Sequence, residues 1–207
     1  MNERDLPLGI HHVTAMTSDV VKNYDFFTEV LGMRLVKKTV NQDDIHTYHT
    51  YYGDDTGSPG TAMTFFDFPN NPKGIKGTNA ITRTSFRVPN DASLEYYQER
   101  FAKFDVKHEA ITTEFGKKVL RFWDFDEQAY QLISDENNVG MKPGTPWKKG
   151  PVPEKFAIYG LGPVEITVSY FNDFKENYEE LLSFEEIAQE GDRYLIEVKE
   201  KDYSVNE

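Results

Sequence analysis

The chain has 207 residues and a net charge of −12, from 35 acidic against 23 basic side chains. That surplus repels phosphate backbones, so nucleic acid is not an expected partner. The absence of Cys excludes disulfides, thiolate metal sites and cysteine nucleophiles, while 15 Phe and 12 Tyr supply bulk for a packed core.

The opening residues show no charged-then-apolar leader pattern. No run approaches the roughly 18 apolar residues of a membrane span. A cytoplasmic location with no membrane partner is the default expectation.

In chain order, Ile10 to Met16 reads as a strand. Ser18 or Asp19 is a helix N-cap, and Val20, Tyr24, Phe27, Val30 and Leu31 recur at helical spacing after it. Gly32 ends that helix. Leu35 to Val40, His46 to Tyr52 and Thr61 to Phe68 are strands, with a Gly- and Pro-rich loop from Gly53 to Gly60. This is a βαβββ unit.

A linker from Asn70 to Thr78 follows, and then the pattern repeats. Ile81 to Val88 is a strand. Asp91 caps a helix carrying Leu94, Tyr97, Phe101 and Phe104. Val106 to Thr112, Lys118 to Trp123 and Tyr130 to Ser134 are strands. After a second linker dense in Pro, Gly and Lys, a third unit opens at Gly162. Its strand is Val164 to Ser169, with Asn172 or Asp173 as cap and Phe174, Tyr178, Leu181 and Leu182 on its helix. Phe184 to Gln189 and Tyr194 to Val198 are its remaining strands.

The expected class is therefore α+β, built from tandem βαβββ modules. Residues 1–69 form the first module, 79–136 the second, 137–155 a linker, and 156–207 an incomplete third. Stacked repeats bury together what one unit cannot bury alone. The third unit lacks its last strand, which predicts an apolar concave face, open sheet edges and self-association.

Two of the five histidines, His11 and His12, stand side by side at the start of the first strand. Alternation lets only one of them point to the concave side with Ile10 and Thr14, and that one is His12. His49 shares a face with Thr47 and Tyr51. His46 and His108 are expected to be exposed. The glycines of the 53–60 loop do not follow GxxxxGK(S/T) spacing, so a tight turn explains them better than a phosphate cradle.

Several stretches together are recognisable. They are Gly9-Ile10-His11-His12-Val13-Thr14, Leu35 to Asn41, Thr47 to Asp54, Gly57 to Thr61, Thr64-Phe65-Phe66 and Gly160 to Glu165. On these the chain resembles the vicinal oxygen chelate superfamily, which includes the glyoxalases. Within it, the chain resembles the extradiol-type ring-cleaving dioxygenases that act on hydroquinones.

The resemblance implies a divalent metal, Fe(II) or alternatively Mn(II), held by two His and one carboxylate. It also implies a small aromatic diol of the hydroquinone or catechol class, and O₂, as substrates. By resemblance, His12 occupies the first metal-ligand position, and the other two ligands belong to a fourth unit that is not seen here. A shortened chain, impaired in ring cleavage unless a complementary chain or second copy completes it, is the expectation.

His11, Tyr48 and His49 are the catalytic candidates. His49 is a candidate for proton transfer or, equally, a sheet-face residue paired to a Tyr hydroxyl. Glu165 matches His12 in the repeat but is expected to lie far from it. Two other readings remain open: a metal-free aromatic-binding remnant of the same fold, and a glyoxalase-like metal-dependent isomerase or lyase.

Overall fold

The structure is a computed structural model and describes residues 9–137 and 141–198. They fall into two compact units, Ile10–Thr167 and the part that begins at Val168. Among the described residues no helix is long and apolar enough to cross a membrane.

The first module begins with β1 (His12–Thr17) and α1 (Val20–Asp25), followed by β2 (Arg34–Val40), β3 (Tyr48–Gly53) and β4 (Ala62–Asp67). The sheet order is β1-β4-β3-β2, with β1 parallel to β4 and the other pairs antiparallel. Asp19 is the helix cap, its carboxylate accepting from the backbone N–H groups of Val21 and Lys22 at 3.0 and 3.1 Å. Those are two of the donors that a helix start leaves without a partner.

The helix then widens into a π turn over Phe26–Val30, where Leu31 N–H donates to the Phe26 carbonyl. The extra residue in this turn lets Phe26 and Phe27 both reach the core. Regular helical spacing foresees only Phe27. Gly32 closes the segment at φ +74°, with the Val152 side chain occupying the space a Cβ would need.

The second module repeats the plan with β5 (Ala80–Val88), α2 (Asp91–Lys103), β6 (Thr112–Glu114), β7 (Lys117–Trp123) and β8 (Ala129–Ser134). Its cap is Asn90, not Asp91, because the Asn90 side chain accepts from Ser93 N–H while Asp91 is already helical. Phe104 stands just past the helix end, exposed beneath the cations of Arg100 and Lys103 rather than in the core.

The expected strand from Val106 to Thr112 shrinks to β6 plus an isolated bridge between His108 and Phe122. His108 is half-buried rather than exposed, its Nδ1–H donating to the Val106 carbonyl at 2.8 Å. Residues 141–155 include segments held against the modules. Thr145 N–H donates to the buried Asp54 carboxylate at 2.9 Å, and Val152 is buried.

β9 (Gly160–Thr167) does not open a sheet of its own. It pairs antiparallel with β5 and becomes the edge of the second sheet, in the order β6-β7-β8-β5-β9. Beyond it, α3 (Phe171–Leu182) packs with a hairpin of β10 (Phe184–Glu190) and β11 (Arg193–Val198). Neither Asn172 nor Asp173 caps this helix, which starts one residue before them with no side-chain cap. Phe171 stacks on Tyr194, and Lys175 bridges to Glu186, within this small unit. The expected polar tail after Val198 lies outside the described residues.

One core serves both larger sheets. Phe27 lies against Tyr52 and Phe65 of the first sheet, at ring-centroid distances of 4.8 and 4.9 Å. It also reaches Phe86 and Tyr130 of the second, at 6.3 and 6.0 Å. Tyr97 O–H of α2 donates to the Leu31 carbonyl at 2.7 Å, and Arg100 Nε–H to the Val30 carbonyl at 2.8 Å. The second module thus supplies donors to carbonyls that the end of the first helix leaves open.

Candidate functional site

In β1, Val13 points into the core while His12 and Thr14 are exposed on the sheet's far face, away from α1. Register carries that far face across the sheet. Thr14 pairs with Thr64, Thr64 with Tyr51, and Phe66 with His49. Lys37 and Thr39 of β2 sit beside Tyr51 and His49. The expected apolar surface is present only in part: the exposed Met16 and the half-buried Phe66 share this face with His12, Thr14, His49 and Tyr51.

Four side chains form a connected hydrogen-bond chain. Tyr51 Oη and His49 Nδ1 are 2.9 Å apart, His49 Nε2 and Thr64 Oγ1 3.1 Å, and Thr64 O–H donates to Thr14 Oγ1 at 2.9 Å. The His49 ring also lies against the rings of Phe66 and Tyr51, at 4.0 and 4.2 Å. Lys37 Nζ stands 5.3 Å from the Tyr51 ring centroid. Partial burial pushes the His49 imidazole below its ordinary range, and the charges of His12 and Lys37 push the same way. These effects favour the neutral form of His49.

His11 precedes the paired part of β1, so strand alternation does not govern its ring. Its carbonyl accepts from Gly60 N–H at 2.8 Å, and its ring turns back to His12, the two Nδ1 atoms 3.0 Å apart. One of these nitrogens must carry a proton and the other a lone pair.

Tyr48 is not brought to this group. It lies on the opposite face of β3, with Thr50 and Tyr52, under the Lys38 ammonium at 4.0 Å. Period-two alternation makes that unavoidable for the neighbour of His49. The phenol that joins His49 is Tyr51, two residues on. Glu165 lies on the second sheet, 3.8 Å from Arg83. His46 is exposed in the turn before β3.

Two His and one carboxylate do not come together as a metal-binding set among the described residues. Among the described residues no group of three His, Asp or Glu is placed to hold a metal ion. His12 has an imidazole neighbour and no carboxylate in that role. The donor set does not by itself fit the implied metal.

The chain belongs to the Glyoxalase/Bleomycin resistance protein/Dioxygenase superfamily, whose family pattern matches residues 9–132. It is 43% identical over 182 residues to a protein of Bacillus subtilis (strain 168) named "Putative ring-cleaving dioxygenase MhqA", covering 88% of this chain and 57% of that protein. It is 31% identical over 156 residues to the chlorohydroquinone/hydroquinone 1,2-dioxygenase of Sphingobium indicum, covering 74% of this chain and 47% of that one.

A crystal structure of a "putative dioxygenase" from Bacillus subtilis subsp. subtilis str. 168 superimposes with a TM-score of 0.82 at 33% identity. It covers 90% of this chain and 59% of its own. The chain thus spans about half the length of the relatives it matches. The glyoxalase-like α+β fold with repeated βαβββ modules is the fold of this chain.

Proposed function

We propose that the far face of the first sheet serves ring cleavage of aromatic diols of the hydroquinone or catechol class, with O₂ as co-substrate. The observation that carries this reading is the grouping of His12, Thr14, His49 and Phe66 on one face of the first sheet. The 43% identity to a protein named for ring cleavage supports it.

The ring contacts of Phe66 and His49 offer an aromatic surface on which a diol ring stacks. Hydroxyl and imidazole groups beside it meet the diol oxygens. Fe(II), or Mn(II), would supply oxygen activation in such chemistry, with His12 as one ligand. The described donors do not complete a set for it. On this reading the chain by itself binds the diol and opens its ring slowly at best.

Anaerobic calorimetric titration with hydroquinone tests the binding claim. Saturable binding is expected, weakened about tenfold by Phe66→Ala, the worth of one aromatic contact. No saturable binding, or equal binding by the variant, contradicts the site. Adding Fe(II) and O₂ and following ring-opened product then tests the chemistry. Turnover far above an Fe(II) blank would contradict the donor count.

A further inference from the structure

The hydrogen-bond chain on the far face has a direction, and its direction gives Thr14 a task. Thr64 spends its only hydroxyl proton on Thr14 Oγ1, so it can only accept from His49. His49 must then carry its proton on Nε2. Its Nδ1 is left with a lone pair, and Tyr51 O–H donates to it. Every donor along Tyr51, His49 and Thr64 therefore points toward Thr14. Thr14 accepts at its oxygen and keeps one proton of its own.

Thr64 is fully buried within this chain, whereas Thr14 is exposed, two residues from His12 on the same face. We propose that Thr14 is the ligand-facing donor of this relay, and that it selects a ring oxygen able to accept strongly, a phenolate or quinone-type oxygen, beside His12. His49 and Thr64 are positioning residues that act through it. This deepens the reading of the face as a diol site and rests on it.

The physical reason is additive polarisation. A hydroxyl that accepts a hydrogen bond donates a stronger one, and successive links reinforce each other. A donor aimed at an anionic oxygen is worth roughly twice one aimed at a neutral oxygen. The downward push on the His49 pKa agrees with this direction, since only a neutral imidazole can accept from Tyr51. The charged or titratable groups facing it are His12 of β1, Lys37 of β2 and Tyr51 of β3.

4-Nitrocatechol is the probe, because its visible spectrum reports its own ionisation. The wild-type chain is expected to bind it with its first hydroxyl ionising at lower pH than in free solution. Thr14→Val should weaken binding of the ionised probe about tenfold and return its ionisation to the free value, from loss of one bond to a charged group. Thr14→Ser should restore both. Thr64→Val should keep the fold and lose part of the ionisation shift.

Nitrogen-15 spectra of the histidine rings in the ligand-free chain provide the second readout. They should show His49 with its proton on Nε2. Unchanged probe ionisation in Thr14→Val, or an Nδ1–H tautomer at His49, overturns the Thr14 assignment and leaves the diol reading standing. No binding of the probe to the wild-type chain overturns both.

Discussion

The far faces of the two sheets share one repeat and differ in chemistry. On the first sheet a neutral imidazole and three hydroxyls form a chain that ends on an exposed Thr14. On the second, Arg83 faces Glu165 at 3.8 Å, and Arg121 faces Glu114 and Glu109 at 2.5 and 4.0 Å. There opposite charges stand close together, with Arg83 Nε and Nη1 and Arg121 Nε making no hydrogen bond, while on the first face a chain of hydrogen bonds leads out to Thr14. The core between the sheets is mostly apolar and aromatic, with Phe27 against both sheets and only small polar residues such as Thr50 and Thr84 among it. Alternation therefore confines chemical divergence to the far faces, where one scaffold can host different tasks.

Removing the shared centre should damage both faces at once. Phe27→Ala is expected to cost about 3–5 kcal/mol, the range for emptying a buried aromatic site, in a single urea transition. A loss below about 1 kcal/mol would mean the two sheets do not share this core.

The faces should then separate. Arg121→Ala removes the guanidinium that pairs with Glu114, whose side chain is 10% exposed, and should cost about 3 kcal/mol. Thr14→Val takes the acceptor from the buried Thr64 hydroxyl and is expected to cost less, about 1 kcal/mol. The reverse ranking in urea melts would assign structure to the first face and leave the second free.

A third expectation concerns Asp124, in the turn between β7 and β8. Burial raises its carboxyl from 3.8 to about 6, despite hydrogen bonds from Gln128 N–H and Tyr130 O–H. The folded state therefore binds a proton more readily than the unfolded chain between those values. This contribution to stability is largest at low pH and is lost as pH rises from about 4 through about 6. Asp124→Asn should remove that slope, gaining on wild type by on the order of 2 kcal/mol between pH 4 and 7. A constant difference across that range would contradict it.

The smallest effect belongs to Tyr48→Phe. Its hydroxyl lies on the opposite face from His49, so hydroquinone affinity should change less than about twofold. A larger change in calorimetry would put Tyr48 back among the ligand-contacting residues.

The sequence showed which way single strands face. His12 sharing a face with Thr14 follows from period two, as does Tyr51 sharing a face with His49, but Ile10 stands before the paired strand and packs against the core instead. What crossed strands was not legible. The contact of His49 with Thr64 depends on the β3–β4 register, and that of Thr64 with Thr14 on a parallel pairing of strands 50 residues apart. Asn90 and Asp91 are both good caps, and only geometry separates them. The π turn hid Phe26 from helical spacing. Tyr48 was singled out for its neighbour, although adjacency along a strand is what parts two side chains.

The most direct test of the central claim is amide and side-chain NMR of the chain titrated with hydroquinone. The account predicts that signals of Thr14, His49 and Phe66 shift along a single saturation curve, while Ser85 and Gln131 of the second sheet stay still. Shifts centred on Ser85 and Gln131, with Thr14 and His49 unmoved, would contradict it.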